Sequence, residues 1–142
     1  MMKRWQERLV CWLCCVCALV AVAPAAAADV PPALDAALQR YISLTDALLP
    51  VLEAARDKDS AQQAAADLQA LLPRVYDARR EMRGIESLSP EVAEAVRRKY
   101  EMPMRTRWGK VYAQIFRLQR ARCYECVAYF KHFNTLCMLL EK

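Results

Sequence analysis

The fold class is decided by residues 33–56, ALDAALQRYISLTDALLPVLEAAR. Large apolar residues recur in this stretch at intervals of three and four, which places them on one face of a helix and predicts an amphipathic α-helix. The members of this apolar stripe are Leu34, Leu38, Tyr41, Ile42, Leu44, Leu48, Leu49 and Leu52. The folded part of the chain is therefore expected to open with a helix.

Two more helices are predicted from their start signals. The polar sequence DKDS at residues 57–60 interrupts the first stripe. Ser60 followed by Gln63 has the form of a capping box, so we expect a second helix from Ser60 to a C-cap at Gly84. The sequence S-P-E at residues 89–91 combines an N-cap serine, a proline at the first helical position and an acid in the first turn, which predicts the start of a third helix.

The sequence ALLP occurs in both of the first two helices, at residues 47–50 and 70–73. A proline inside a helix removes one backbone hydrogen bond and bends the axis, so we expect a kinked antiparallel helical hairpin. From residue 90 to residue 140, Pro103 and Gly109 are the only breaker candidates. We predict an all-α fold in which the hairpin packs on one long third helix, a three-helix bundle, or a four-helix bundle if the third region breaks near Pro103.

Residues 1–28 of the 142-residue chain have the layout of a secretory signal peptide: a basic start, an apolar run and an alanine-rich end before Asp29. We predict cleavage after about Ala28, hence a periplasmic or secreted protein, with an uncleaved membrane anchor as the alternative. Cleavage leaves residues 29–142 as one helical domain with a net charge of +3. It also removes four of the seven cysteines.

Three local motifs resemble the pattern of small exported bacterial three-helix proteins of unassigned function. They are D-K-D-S-A at residues 57–61, S-P-E at residues 89–91, and the stretch from Arg98, Lys99 and Tyr100 to Met104 and Arg105. The segment that carries them covers about half of the chain after residue 28. The resemblance implies export and a helical fold, and it implies no site.

The last part of the chain carries the one motif with chemistry, Cys123-Tyr124-Glu125-Cys126. Apolar residues there step by three and four, which predicts one seam along a single helix; they are Cys123, Cys126, Phe130, Phe133, Cys137 and Leu140. The plain interpretation is that the three thiols are buried as small hydrophobes. In an oxidising compartment they are also candidates for a disulfide or a reactive thiol.

Three functional hypotheses follow from the same motif: haem attachment, thiol redox chemistry and metal binding. A degenerate c-type cytochrome would need a histidine where Val127 stands, and His132 lies six residues past Cys126. Thiol redox work favours this motif at a helix N-terminus, whereas the predicted seam places it in the middle of a helix. Soft-metal binding by Cys123 and Cys126 is chemically permitted. We predict no cofactor and no metal.

Charge is divided along the chain. Residues 29–82 carry a net charge of −3, and residues 83–142 carry +6. A candidate patch for an anionic envelope surface contains Arg97, Arg98, Lys99, Arg105, Arg107, Lys110, Arg117, Arg120 and Arg122. The competing interpretation is a solvated helix face, with the interleaved Tyr100, Trp108, Tyr112 and Phe116 in the core. Nucleic acid is not expected as a partner of an exported protein.

No catalytic constellation is visible in the sequence: no glycine-rich phosphate loop, no nucleophile with a recognisable base and no paired acids at metal spacing. We predict a non-catalytic interaction or structural protein of the cell envelope or exterior. Its contact surface is expected on the C-terminal helix, residues 117–140, with a protein partner or a second copy of the chain. The alternative is a thiol redox or soft-metal protein that uses Cys123 and Cys126.

Overall fold

The computed structural model describes residues 29–83 and 88–141, which form four α-helices. They are α1 (Pro32–Ala54), α2 (Lys58–Arg83), α3 (Pro90–Arg120) and α4 (Val127–Glu141), with a short turn, Arg122–Glu125, between α3 and α4. No strand occurs in these residues, so the predicted all-α class is confirmed. The predicted signal peptide and the predicted cap at Gly84 lie outside the described residues.

Helices α1 and α2 form an antiparallel hairpin, as the ion pair between Arg40 near the start of α1 and Glu81 near the end of α2 shows, and α3 and α4 pack against it. Helix α1 packs against both α2 and α3, and α2 packs against α4. Ion pairs between Asp35 and Lys99 and between Asp46 and Arg107 show that α1 and α3 run in the same direction. Helix α1 therefore lies between α2 and α3, which do not pack against each other in the described residues.

The apolar stripe predicted for the first helix lies in the core. Leu48 and Leu52 are completely buried, and Leu38 and Leu44 are nearly so. Burying such side chains stabilises the fold by about 1.5–3 kcal/mol each. The helix continues through Pro50, as α2 continues through Pro73.

The start of α2 differs from the prediction by three residues. The Asp57 carboxylate accepts a hydrogen bond from the Ser60 backbone N–H at 2.8 Å, and the Ser60 hydroxyl accepts one from the Asp57 N–H at 3.0 Å. Asp57 and Ser60 therefore form the capping box, and the predicted pair of Ser60 and Gln63 was wrong. The start of α3 is as predicted, because Ser89 accepts a hydrogen bond from the Val92 N–H.

The third helical region breaks at residues 121–126, not near Pro103, which lies inside α3. Four consecutive residues, Arg122 to Glu125, have φ between 48° and 57°, the left-handed conformation. The chain then returns along the bundle as α4, so its apolar face packs against α2. The predicted single long helix would leave that face overhanging, and the reversal buries it within the same chain.

The predicted cysteine seam is therefore wrong as one helical stripe. Cys123 lies in the turn, and Cys126 caps α4, since its carbonyl accepts the Phe130 N–H at 2.9 Å. Phe130 is 51% exposed, whereas its neighbour Tyr129 is fully buried. The buried stripe of α4 consists of Tyr129, Phe133, Leu136, Cys137 and Leu140.

Candidate functional site

The left-handed turn is held by one arginine of the predicted basic patch. The Arg117 guanidinium donates hydrogen bonds to the carbonyls of Leu52 at 2.7 Å and Ala55 at 2.8 Å, and to the Tyr124 hydroxyl at 2.7 Å. The last carbonyls of a helix lack partners within the helix and carry partial negative charge, which favours a cation there. Arg117 therefore joins the end of α1 to the turn, a structural role that the sequence did not indicate.

The three described thiols are free and buried. Cys123 is 1%, Cys126 is 2% and Cys137 is 8% exposed. The Cys126 thiol donates to the Gln62 side-chain oxygen at 3.3 Å. Burial raises the pKa of the Cys123 thiol to about 11 and that of the Cys137 thiol to about 12. These two thiols are therefore protonated at neutral pH, which makes them weak nucleophiles.

The Cys-x-x-Cys motif ends at the N-terminus of α4, so the predicted position in the middle of a helix was wrong. For Cys123, burial and the neighbouring Cys126 both raise the pKa of the thiol. His132 lies half-buried on α4, and Val127 is 82% exposed. Among residues 29–83 and 88–141, no three His, Cys, Asp or Glu side chains are grouped so as to hold a metal ion.

The interleaved aromatics of α3 separate into core and surface. Trp108 stacks on Tyr41 of α1 with ring centroids 4.6 Å apart, and Tyr112 lies 6.0 Å from Trp108. Arg79 of α2 lies close enough to Tyr41 and Tyr112 to lower their pKa values, although burial raises both more strongly. Phe116 is 37% exposed, so its predicted core position was wrong. The periodicity of α2 gave no sign of Arg79 beside these rings.

The predicted basic patch divides into paired and unpaired groups. Lys99 binds Asp35 at 2.6 Å and Arg107 binds Asp46 at 2.8 Å, so these two cations tie α3 to α1. Lys99 and the Tyr100 hydroxyl together hold the pKa of Asp35 below its usual value. Arg97 pairs with Glu94 within α3. The remaining cations are exposed and make no ion pair in the described part of the chain; they are Arg98, Arg105, Lys110, Arg120 and Arg122.

No protein-family model, curated protein or solved structure matches this chain. None of the helices in residues 29–83 and 88–141 combines the length and the hydropathy that crossing a bilayer requires.

The outer face of α4 carries a set of exposed apolar side chains. Val127 is 82%, Phe130 is 51% and Met138 is 50% exposed. With the exposed Asn134 they follow one another at intervals of three and four, so they share one side of the helix. This side, named here the α4 outer face (Val127, Phe130, Asn134 and Met138), is turned toward solvent beside the buried stripe. It falls within the C-terminal contact region that the sequence predicted.

Proposed function

We propose that the protein is a non-catalytic, exported helical module that binds a protein partner through the α4 outer face. The observation that carries this proposal is the exposure of Val127, Phe130 and Met138 on one side of a short helix. Isolated exposed apolar residues are ordinary on protein surfaces, whereas a contiguous group is typical of an interaction site. Export to the periplasm or the exterior is the part of the proposal that rests on residues 1–28.

The chemistry of the thiols supports a non-catalytic role over the thiol-based alternative. A redox or metal-binding cysteine acts as the thiolate in an accessible, electropositive environment. Cys123 and Cys137 are instead buried, with pKa values raised to about 11 and about 12. Their packing against the core accounts for their presence without a reaction.

The test is site-specific photo-cross-linking in the cells that make the protein. A photoreactive side chain at Asn134, in the middle of the α4 outer face, is expected to yield one discrete protein adduct. The same group at Ser43, which is exposed on α1, is the matched control and should yield none. The substitutions Val127→Asp and Met138→Asp, both at exposed positions, should abolish the adduct while the helical circular dichroism remains.

An adduct from Asn134 that survives both aspartate substitutions would contradict the proposal, as would the absence of any adduct. An adduct whose mass is twice that of the chain would identify a second copy as the partner. Fractionation of the same cells tests export, because the exported protein should be recovered outside the cytoplasm without residues 1–28.

A further inference from the structure

A second pair of surfaces lies on α2 and α3, away from the α4 outer face. One side of α2 carries exposed residues at intervals of four and three, named here the acidic stripe: Asp59, Gln63, Ala66, Ala70, Pro73 and Asp77. One side of α3 carries a similar exposed series, named here the basic stripe: Met102, Arg105, Gly109, Ala113, Phe116 and Arg120. Each stripe therefore runs along most of its helix as a face that no other described residue covers.

The two stripes are complementary in charge. Asp59 and Asp77 form no ion pair in the described residues, and neither do Arg105 and Arg120. Two other cations of α3, Lys99 and Arg107, are paired with α1 inside the chain. The charged members of the acidic stripe are thus both negative, and those of the basic stripe are both positive.

The two stripes are also complementary in shape. Each has two small residues in its middle, Ala66 with Ala70 and Gly109 with Ala113, which allow two helix backbones to approach closely. A side chain added at Gly109 would meet no atom within 4 Å, so this position is open on the surface. Small residues give a flat lipid surface little to contact, whereas a helix with small residues at its own centre can approach them closely.

The spacing of the charges fits the same contact. Asp77 lies nine residues beyond the midpoint between Ala66 and Ala70, and Arg120 lies nine residues beyond the midpoint between Gly109 and Ala113. When the two small pairs are superimposed in the parallel direction, Asp77 faces Arg120. Pro73 then faces Phe116, and Asp59 faces Met102, with Arg98 and Arg105 about one turn away on either side.

The antiparallel direction is less favourable. In this direction Asp59 faces Arg120. However, Arg74, which flanks the acidic stripe, then lies opposite Arg105. Like charges placed opposite each other repel. The parallel alignment avoids this pair, since Arg74 then lies opposite Arg117, which is directed toward α1.

We propose that a second copy of this chain binds the basic stripe through its acidic stripe. Because α2 and α3 lie on either side of α1 and do not pack against each other, a chain that binds one neighbour through α3 still presents α2 to another. The contact is therefore heterologous, and it extends into open arrays or closed rings instead of stopping at a symmetric dimer. This inference is independent of the proposed partner on α4.

The test is the mass in solution, by sedimentation equilibrium, of protein purified from cells that produce the full chain. The wild type is expected to increase in mass beyond the dimer as concentration rises. Raising the ionic strength from about 0.01 M to about 1 M shortens the Debye length from about 30 Å to about 3 Å and should reverse the increase. A wild type that stays monomeric at every concentration and at low salt would overturn the proposal.

Two variants, each of which blocks one stripe, test the two surfaces individually. Gly109→Leu fills the centre of the basic stripe, and Ala70→Leu fills the centre of the acidic one; each variant alone should be monomeric. Their equimolar mixture should form dimers and nothing larger, because it retains one unblocked stripe of each kind. A mixture that stays monomeric, or single variants that associate like the wild type, would refute the assignment of the faces.

Separate control variants test whether the blocking substitutions disturb folding and whether the α4 outer face is the contact. Gly109→Leu replaces a helix-interior glycine at an open position, so the monomer should be at least as stable as the wild type in denaturant. Ser43→Leu on the exposed side of α1 should leave association unchanged. Val127→Asp should also leave it unchanged; if it abolishes association instead, the contact belongs to the α4 outer face and the stripes are refuted.

Discussion

Arg117 is the residue on which the reversal between α3 and α4 depends. Its guanidinium binds two carbonyls at the end of α1 and the hydroxyl of Tyr124 in the turn, so one side chain connects three segments. Hydrogen bonds that involve a charged group contribute more than neutral ones, and removing one partner leaves the buried others unsatisfied.

We expect Arg117→Met to lower the free energy of unfolding by about 3 kcal/mol, because the carbonyls of Leu52 and Ala55 lose their donor. Urea titration followed by circular dichroism measures the change. Lys110→Met removes an exposed cation from the same helix and should change stability by less than about 0.5 kcal/mol. Equal losses in the two variants would contradict the role assigned to Arg117.

The buried Cys137 thiol makes stability depend on alkaline pH. Its pKa is raised from 9.0 to about 12, mainly by burial. The unfolded chain therefore loses this proton first, and the contribution of Cys137 to stability, complete below about pH 9, decreases as the pH rises toward 12. Buried tyrosines act in the same pH range, so a comparison between variants is needed.

We expect the stability advantage of the wild type over Cys137→Ala to shrink between about pH 8 and about pH 10.5. Denaturant titrations at each pH, with a reductant present, measure this difference, and the tyrosine contribution is common to both proteins. A difference that stays constant across this range would show that the thiol is accessible to solvent.

At the scale of elements, the turn shows a conflict between local preference and packing. Left-handed backbone costs a non-glycine residue about 1–2 kcal/mol, and four such residues follow one another from Arg122 to Glu125. We expect Glu125→Gly, at an exposed position with φ of 57°, to raise the free energy of unfolding by about 1 kcal/mol.

The same substitution has the opposite sign within a helix. Gln69→Gly, at an exposed position inside α2, should lower the free energy of unfolding by about 0.5–1 kcal/mol. Thermal and urea unfolding of both variants check the pair. If Glu125→Gly destabilises the protein as Gln69→Gly does, the turn is not left-handed in solution.

The register of α4 is tested by two phenylalanines three residues apart. Phe133 is 3% exposed and Phe130 is 51% exposed. We expect Phe133→Ala to cost about 3–5 kcal/mol of stability, as truncations in a packed core do, and Phe130→Ala to cost less than about 1 kcal/mol. Urea titration measures both costs. Comparable costs would mean that Phe130 is buried like Phe133, as the single seam expected from the sequence requires.

For the whole molecule, the sequence predicted the features that depend on neighbouring residues and did not predict those that depend on contacts between distant ones. The helical class, the stripe of α1 and the Ser89 cap are encoded by neighbouring residues, so spacing and capping rules found them. The break after α3 has no glycine or proline to mark it, because the contact of Arg117 with α1, 62 to 65 residues away, holds the turn. The sequence placed the contact surface in the C-terminal region but not on the residues of the α4 outer face, because the turn sets the orientation of α4.

The same long-range dependence makes α4 necessary for the bundle to fold cooperatively. Helix α4 packs along α2, so removing α4 exposes to water the face of α2 that it covers. We expect a chain that ends at Arg120 to lose its cooperative thermal transition, since exposing this face forfeits about 1.5–3 kcal/mol for each large side chain. Circular dichroism during heating measures the loss, and a chain that ends at Leu140, with all of the buried stripe retained, is the control. A sharp transition at the same temperature in both truncated chains would mean that α1, α2 and α3 form a complete bundle by themselves.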